Sequence, residues 1–171
     1  MSNKAVLISI RPKWVSLIAD GKKTIEIRKT RPRIDTPFKC YIYQTFPKSG
    51  DWNEQDGKVV GEFVCDNIVE YHYAFSFDEN RVCMSLKVGA VMTPKELFDY
   101  AGKNTVYGWH ITDLKMYDKP KNLLEFKRWN RTEINAPCAH TPTLYPPCSE
   151  CKECNLTRPP QSYCFVEELD E

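Results

Sequence analysis

Apolar and polar positions follow two different periods along this chain, and the periods place its elements. Val6-Leu7-Ile8-Ser9-Ile10 is a short apolar run, the pattern of a strand buried on both faces. Pro12 follows at the start of a helical turn, where proline is tolerated. Trp14, Val15, Leu17 and Ile18 then give a short helix an apolar stripe, which Gly21 ends. From Thr24 to Lys29 the period changes to two. Thr24, Glu26 and Arg28 share one face of a strand, and Ile25 and Ile27 share the other.

Thr30–Pro37 holds two prolines and reads as a loop. Phe38–Gln44 is a third strand, with Cys40 and Ile42 pointing one way and Tyr41 and Tyr43 the other. Phe46–Gly57 is a polar loop rich in turn formers. Lys58–Tyr73 carries β-branched and aromatic residues over a length that predicts a long, bent strand, with a bulge near Gly61. Thr93-Pro94-Lys95-Glu96 is a helix start: Thr93 as N-cap, proline at the first position and Glu96 closing a capping box. That helix runs to Ala101 and stops at Gly102. Val106–Tyr117 predicts another strand, and Leu123–Phe126 a short strand or turn. Strands dominate, with two short helices, no internal repeat and no regular alternation of helix and strand. The expected fold is α+β, a small mixed β-barrel rather than a doubly wound sheet.

Composition narrows the class. The 171 residues suit one domain with a small appendage, and 42% hydrophobic with 12% aromatic residues is enough for a packed core. No apolar run approaches the roughly 18 residues that would suggest a membrane span. Val6–Ile10 is too short for the apolar region of a signal peptide. A cytoplasmic location is expected, and there eight cysteines read as metal ligands or core thiols rather than disulfides.

The net charge of +1 points to no partner, but its distribution does. Residues 1–40 hold ten Lys/Arg against three Asp/Glu, and the remainder holds fourteen against twenty. Lys22, Lys23, Arg28, Lys29, Arg31 and Arg33 crowd into one stretch, a patch that attracts phosphates or, alternatively, a solvated basic loop. Within it, Lys23, Glu26 and Arg28 bring a lysine, a carboxylate and an arginine within six residues. Such a set can bind a polar ligand or move a proton, with Glu26 and Arg28 projecting into a cleft and Lys23 at its mouth. It can also be the solvated face of a half-buried strand. Lys13 and Arg31 are the flanking basic candidates for ligand binding.

The order strand, helix, Gly-x-Lys-x-x-Glu-x-Arg, strand resembles the ASCH domain, a relative of the PUA fold. Gly21, Lys23, Glu26 and Arg28 match its signature position by position. The likeness extends over residues 4–126 and resumes at Arg158–Glu168, which resembles the closing strand of phage and bacterial members. It implies a β-barrel with a cleft lined by the motif residues. It also implies recognition of RNA, single-stranded nucleic acid, a nucleotide or a modified base.

The family is also reported to include hydrolases of acylated cytidine, in which the motif lysine works with a threonine on the next strand and a distant glutamate. Lys23 is kept here, Glu26 stands in the threonine's place, and Glu96 is the candidate for the distant carboxylate. Some members are described as ribonucleases, for which Lys23, Glu26 and Arg28 could supply a general base and phosphate stabilisation. A third possibility is a phage-encoded protein-interaction domain.

Pro and Cys crowd the segment from Pro137 on. Cys148, Cys151 and Cys154 stand at metal-chelating spacing, and tetrahedral zinc requires a fourth ligand. Cys138 is the first choice, with His140 and Cys164 in reserve. A structural zinc is the expected cofactor. Unligated thiols and an iron–sulfur cluster are the alternatives, although the cluster's fourth cysteine is missing at Leu156–Pro159. The expected organisation is therefore a barrel over 1–136, a metal-binding loop over 137–157, and a closing strand and tail over 158–171. Cys40, Cys65 and Cys83 sit singly and read as core or surface thiols, as Cys164 does on the last strand. His72 and His110 read as hydrogen-bonded packing residues. No Walker loop or dinucleotide fingerprint is present. Tyr41, Tyr43, Trp52, Tyr107 and Trp109 could stack on a base, though aromatic residues in small barrels are more often core.

Overall fold

The structure is a computed structural model, and it describes residues 3–72, 89–102, 104–129 and 155–169. Eight strands and two α-helices are formed by these residues: β1 (Lys4–Ile10), α1 (Pro12–Ala19), β2 (Ile25–Arg28), β3 (Phe38–Gln44), β4 (Val59–Cys65), β5 (Ile68–Tyr71), α2 (Pro94–Ala101), β6 (Val106–His110), β7 (Thr112–Lys121) and β8 (Tyr163–Glu167). A short 3₁₀ turn covers Leu123–Glu125.

The strands form two sheets. The larger has the order β7-β4-β3-β1-β8 and the smaller the order β2-β6-β5. This corrects the expected single closed barrel: no closed barrel forms among the described residues. The physical reason lies in two breaks. The long strand expected over Lys58–Tyr73 divides at Asp66-Asn67 into β4 and β5, and the one expected over Val106–Tyr117 divides at Ile111 into β6 and β7. The two runs still pair with each other, β5 with β6 and β4 with β7, as a bent antiparallel ribbon. Each half of the ribbon belongs to a different sheet. At the bend, Asp113 adopts φ 48°, His110 N–H donates to Asn67 O at 2.9 Å, and His110 Nδ1 lies 2.7 Å from Asp66 Oδ1. His110 is thus a bonded residue of the bend, as expected, and His72 Nδ1 sits 3.2 Å from Thr105 Oγ1.

The expected bulge near Gly61 is present, because the β4–β7 register shifts between Val59 and Gly61 and again between Glu62 and Val64. A Cβ added at Gly61 would lie 2.8 Å from Lys115 O and 2.9 Å from Met116 Sδ, so only glycine permits this approach.

β1 runs parallel to β3 on one side and antiparallel to β8 on the other. Its residues Ala5–Ile10 are all buried, which explains why the run is apolar without alternation. The large sheet has a core on each face. Val6, Ile8, Cys40, Ile42 and Phe63 pack with α1 and Trp109 on one face. Leu7, Tyr41, Tyr43, Phe126 and Val166 pack on the other. The predicted alternation in Phe38–Gln44 is therefore correct, and both of its faces are interior. Burial pushes the Cys40 and Cys65 thiols up, Cys65 to about 12, as expected of core cysteines. Cys164, half-buried on β8, is raised to about 11. A third cluster joins Ile27, Tyr71 and Val106 to Leu97 and Ala101 of α2. That helix starts as predicted: Thr93 Oγ1 accepts from Glu96 N–H at 3.1 Å and Glu96 Oε2 accepts from Thr93 N–H at 2.9 Å. No helix among the described residues is long and apolar enough to cross a membrane.

Candidate functional site

The site begins where α1 stops. Gly21 takes φ +70°, and the Lys22 and Lys23 N–H groups both donate back to Leu17 O, at 3.0 and 2.9 Å. This turn folds Lys23 inward. Its side chain is 2% exposed, against the expectation of a lysine at the cleft mouth; Lys23 lies at the floor. Its ammonium donates to Ala90 O at 2.8 Å, lies 3.4 Å from Glu26 Oε2, and sits 4.9 Å from the centre of the Trp14 ring.

On β2 the alternation works as predicted. Ile27 is buried in the α2 core with Ile25 packed beside it, while Glu26 and Arg28 line the cleft. Glu26 Oε1 lies 3.2 Å from Arg28 Nη2, so one carboxylate stands between two cations. Arg28 Nη2 also donates to Ser9 O on β1 and thereby ties the small sheet to the large one. Its Nε is buried without a partner among the described residues. Desolvation lowers the Lys23 pKa from the ordinary lysine range. The Glu26 carboxylate opposes that fall, and the Arg28 charge adds to it.

These groups line a cavity of about 730 Å3. Trp14 and Tyr100 stand on its walls, Arg11 and Lys29 are exposed beside it, and Thr45 joins from the end of β3. The remaining wall is Pro159–Ser162, held by Ser9: its N–H donates to Ser162 O at 2.9 Å and its Oγ to Pro160 O at 2.7 Å. Among the described residues, four basic side chains and one carboxylate line the cavity.

The structure brings together Lys23, Glu26 and Arg28, and leaves the other candidates outside the lining. Glu96 is occupied by its capping box and by an exposed pair with Lys13 at 3.2 Å. Arg31 is exposed, and its carbonyl accepts from the Tyr163 hydroxyl at 3.0 Å. Tyr41, Tyr43 and Trp109 are core residues. Cys83, Cys138, His140, Cys148, Cys151 and Cys154 lie outside the described residues. Sequence reasoning missed Trp14, Tyr100, Arg11 and the Pro159–Ser162 wall as cavity residues. Trp14 carried a signal, since a tryptophan is a bulky choice for the stripe of a two-turn helix. Tyr100 and the wall carried none, because only the tertiary fold brings them to Lys23.

The ASCH domain model matches residues 8–158. The chain belongs to the ASCH domain family. Among solved structures it is similar to the ASCH protein of Zymomonas mobilis, with 23% identity and a TM-score of 0.54 over 70% of this chain and 73% of that one. A point variant of the same protein gives 22% identity and a TM-score of 0.53 over 71% of this chain and 77% of that one. At this identity the likeness concerns the fold. No curated protein matches the chain.

Proposed function

We propose that this ASCH domain binds RNA, single-stranded nucleic acid or a nucleotide-like ligand, and that it holds a base or modified base in the Lys23–Glu26–Arg28 cleft. The observation that carries this reading is the buried triad itself, set in the floor of a cavity large enough for a small-molecule ligand. Glu26 can accept from an amino or imino group. Lys23 and the Arg28 Nε, which has no partner among the described residues, can donate to carbonyl or phosphate oxygens. Trp14 and Tyr100 offer aromatic surface for a base, and Arg11 and Lys29 offer charge for a phosphate. Titration with nucleotides and short RNA at low salt tests it. Saturable binding that Arg28→Ala weakens is expected, and an absence of binding to every member of the series would overturn it.

A hydrolase is the second reading, for a nucleobase amide or for RNA. What favours it is that burial lowers the Lys23 pKa beside a carboxylate, the arrangement that suits an amine to accept a proton. Incubation with acylated cytidines and with labelled RNA, followed by product analysis, separates the two readings.

A structural zinc held by Cys148, Cys151, Cys154 and Cys138 is proposed alongside, on the spacing of these cysteines alone.

A further inference from the structure

A pair of exposed aromatic rings is carried by the loop that begins one residue after the cleft residue Thr45. Thr45 lines the cavity, and its N–H donates to the carbonyl of Ile10, another lining residue, at 2.9 Å. The next residue is Phe46, which is 53% exposed, and its ring lies 5.2 Å from that of Trp52, which is 69% exposed. The rings are tilted by 56°, and Trp52 keeps most of its surface open to solvent.

The loop that carries them is fixed. Buried Asp56 accepts from Gln44 Nε2 and from Asn53 N–H, both at 2.8 Å. Gly57 N–H donates to Gln44 O at 2.9 Å. Gly57 adopts φ +76°, and a Cβ there would come 2.4 Å from Phe46 Cζ, so the absent side chain is what lets the phenyl ring lie on the backbone. Two large apolar side chains are therefore held more than half exposed to solvent by an ordered loop.

We propose that Phe46 and Trp52 form a stacking platform for a second base, so that the ligand of the cleft is a single-stranded oligonucleotide rather than a lone nucleotide. The proposal rests on the reading of the cleft as a base or nucleotide site. Bases stack on exposed aromatic faces without regard to sequence, and each such contact contributes substantially to affinity. The loop carries Lys48 and Lys58 but also Asp51 and Glu54, so stacking rather than phosphate contact is its contribution. Two rings are too small an area for a stable protein interface, which buries about 800 Å2 on each partner. The position of Phe46 next in the chain to the cavity residue Thr45 favours a strand that leaves the cleft and crosses the platform.

The test compares CMP with single-stranded RNA of two, four and eight nucleotides on the full chain. Affinity should rise from CMP to the tetranucleotide. Trp52→Ala should lower tetranucleotide affinity roughly 5- to 100-fold and leave CMP binding unchanged, while Trp52→Phe should recover most of the loss. Trp52 fluorescence, isolated by difference from the Trp52→Phe protein, should be quenched by the tetranucleotide and not by CMP. Equal affinity of Trp52→Ala and the unaltered protein for all oligomers would overturn the platform and leave the cleft reading intact. Loss on Trp52→Ala with no effect of Arg28→Ala would keep the platform and overturn the cleft reading. No binding of any oligomer at low salt overturns both.

Discussion

Lys23 and Glu26 face each other 3.4 Å apart at the floor of the cleft, with side chains only 2% and 8% exposed. Arg28 flanks the same carboxylate at 3.2 Å. Removing Glu26 therefore leaves two buried cations without their counter-charge. Glu26→Ala should destabilise the fold by about 3–5 kcal/mol. Adding Lys23→Met to that variant should recover part of the loss. Urea unfolding of the two variants reads both effects, and a loss below about 1 kcal/mol for Glu26→Ala would show that the triad is solvated instead.

The pH dependence of binding follows from the same burial. Desolvation lowers Lys23 from its ordinary value of 10.5. Ligand affinity that depends on its charge should fall with rising pH before an ordinary lysine titrates. Lys23→Arg stays charged throughout and should flatten that limb. The stability effect has the opposite sign. Within the window between the folded value and 10.5 the unfolded chain binds more protons at this site, so the Lys23 contribution to stability rises with pH there. A binding profile identical for Lys23→Arg and the unaltered protein would remove Lys23 from ligand contact.

Arg11 and Lys29 are the exposed cations of the cleft, whereas Lys115 and Lys119 are exposed on β7 and absent from the cavity lining. If a nucleic-acid backbone lies across the cleft, Arg11→Ala and Lys29→Ala should each lower RNA affinity and reduce the magnitude of the salt slope by about one. The two β7 variants should do neither. Equal losses from both pairs would point to diffuse attraction rather than a site.

Gly61 sets how closely β4 and β7 approach. Gly61→Ala places a methyl group against the Lys115 carbonyl, which is backbone and cannot rotate away. The expected cost is about 1–3 kcal/mol, read as a lower thermal midpoint. Gly50→Ala tests strain without crowding, because it has φ +84° with nothing within 4 Å of an added Cβ, and it should cost less.

One zinc per chain is expected on metal analysis, held by Cys138, Cys148, Cys151 and Cys154 with His140 in reserve. The segment from Pro137 to Thr157 has few apolar residues to offset an ordering entropy of about 1–2 kcal/mol per residue, and metal binding can supply that free energy. A chelator or Cys151→Ser should increase proteolysis between residues 137 and 157 while the two sheets stay folded. Iron with a brown colour would point to a cluster instead, and purified protein free of metal would remove the site.

What was legible in the sequence was local. The 2-residue period of Thr24–Lys29 and the 3-residue reach of the Thr93 capping box report contacts between neighbours, and both elements form as predicted. The sheet assignment was not legible. The residues of β4 and β5, like those of β6 and β7, read as one strand because the bend at Asp66-Asn67 and Ile111 interrupts the ladder without interrupting the β-prone composition. The depth of Lys23 was hidden for a different reason. A lysine two residues beyond a helix end is ordinarily solvated, and only the backward hydrogen bond to Leu17 and the Ala90 carbonyl show that this one turns inward. Glu96 is the converse case, since a helix-capping carboxylate and a catalytic one look alike in sequence and the structure places Glu96 in the cap, outside the cavity lining.

Ser9 and Pro160 meet through a 2.7 Å hydrogen bond across 151 residues of chain. Synthesis proceeds from the N-terminus, so β1 leaves the ribosome long before β8 exists to pair with it. In that interval the β8-facing edge of β1 carries open backbone donors and acceptors along an apolar strand, the kind of edge that recruits wrong partners. The Pro159–Ser162 wall is made after the other cavity residues, so the nascent chain can fold its first helix and the triad strand while the cleft still lacks one side. Ligand capture therefore waits for residues 159–162, and ribosome-bound chains halted before residue 159 should not show it.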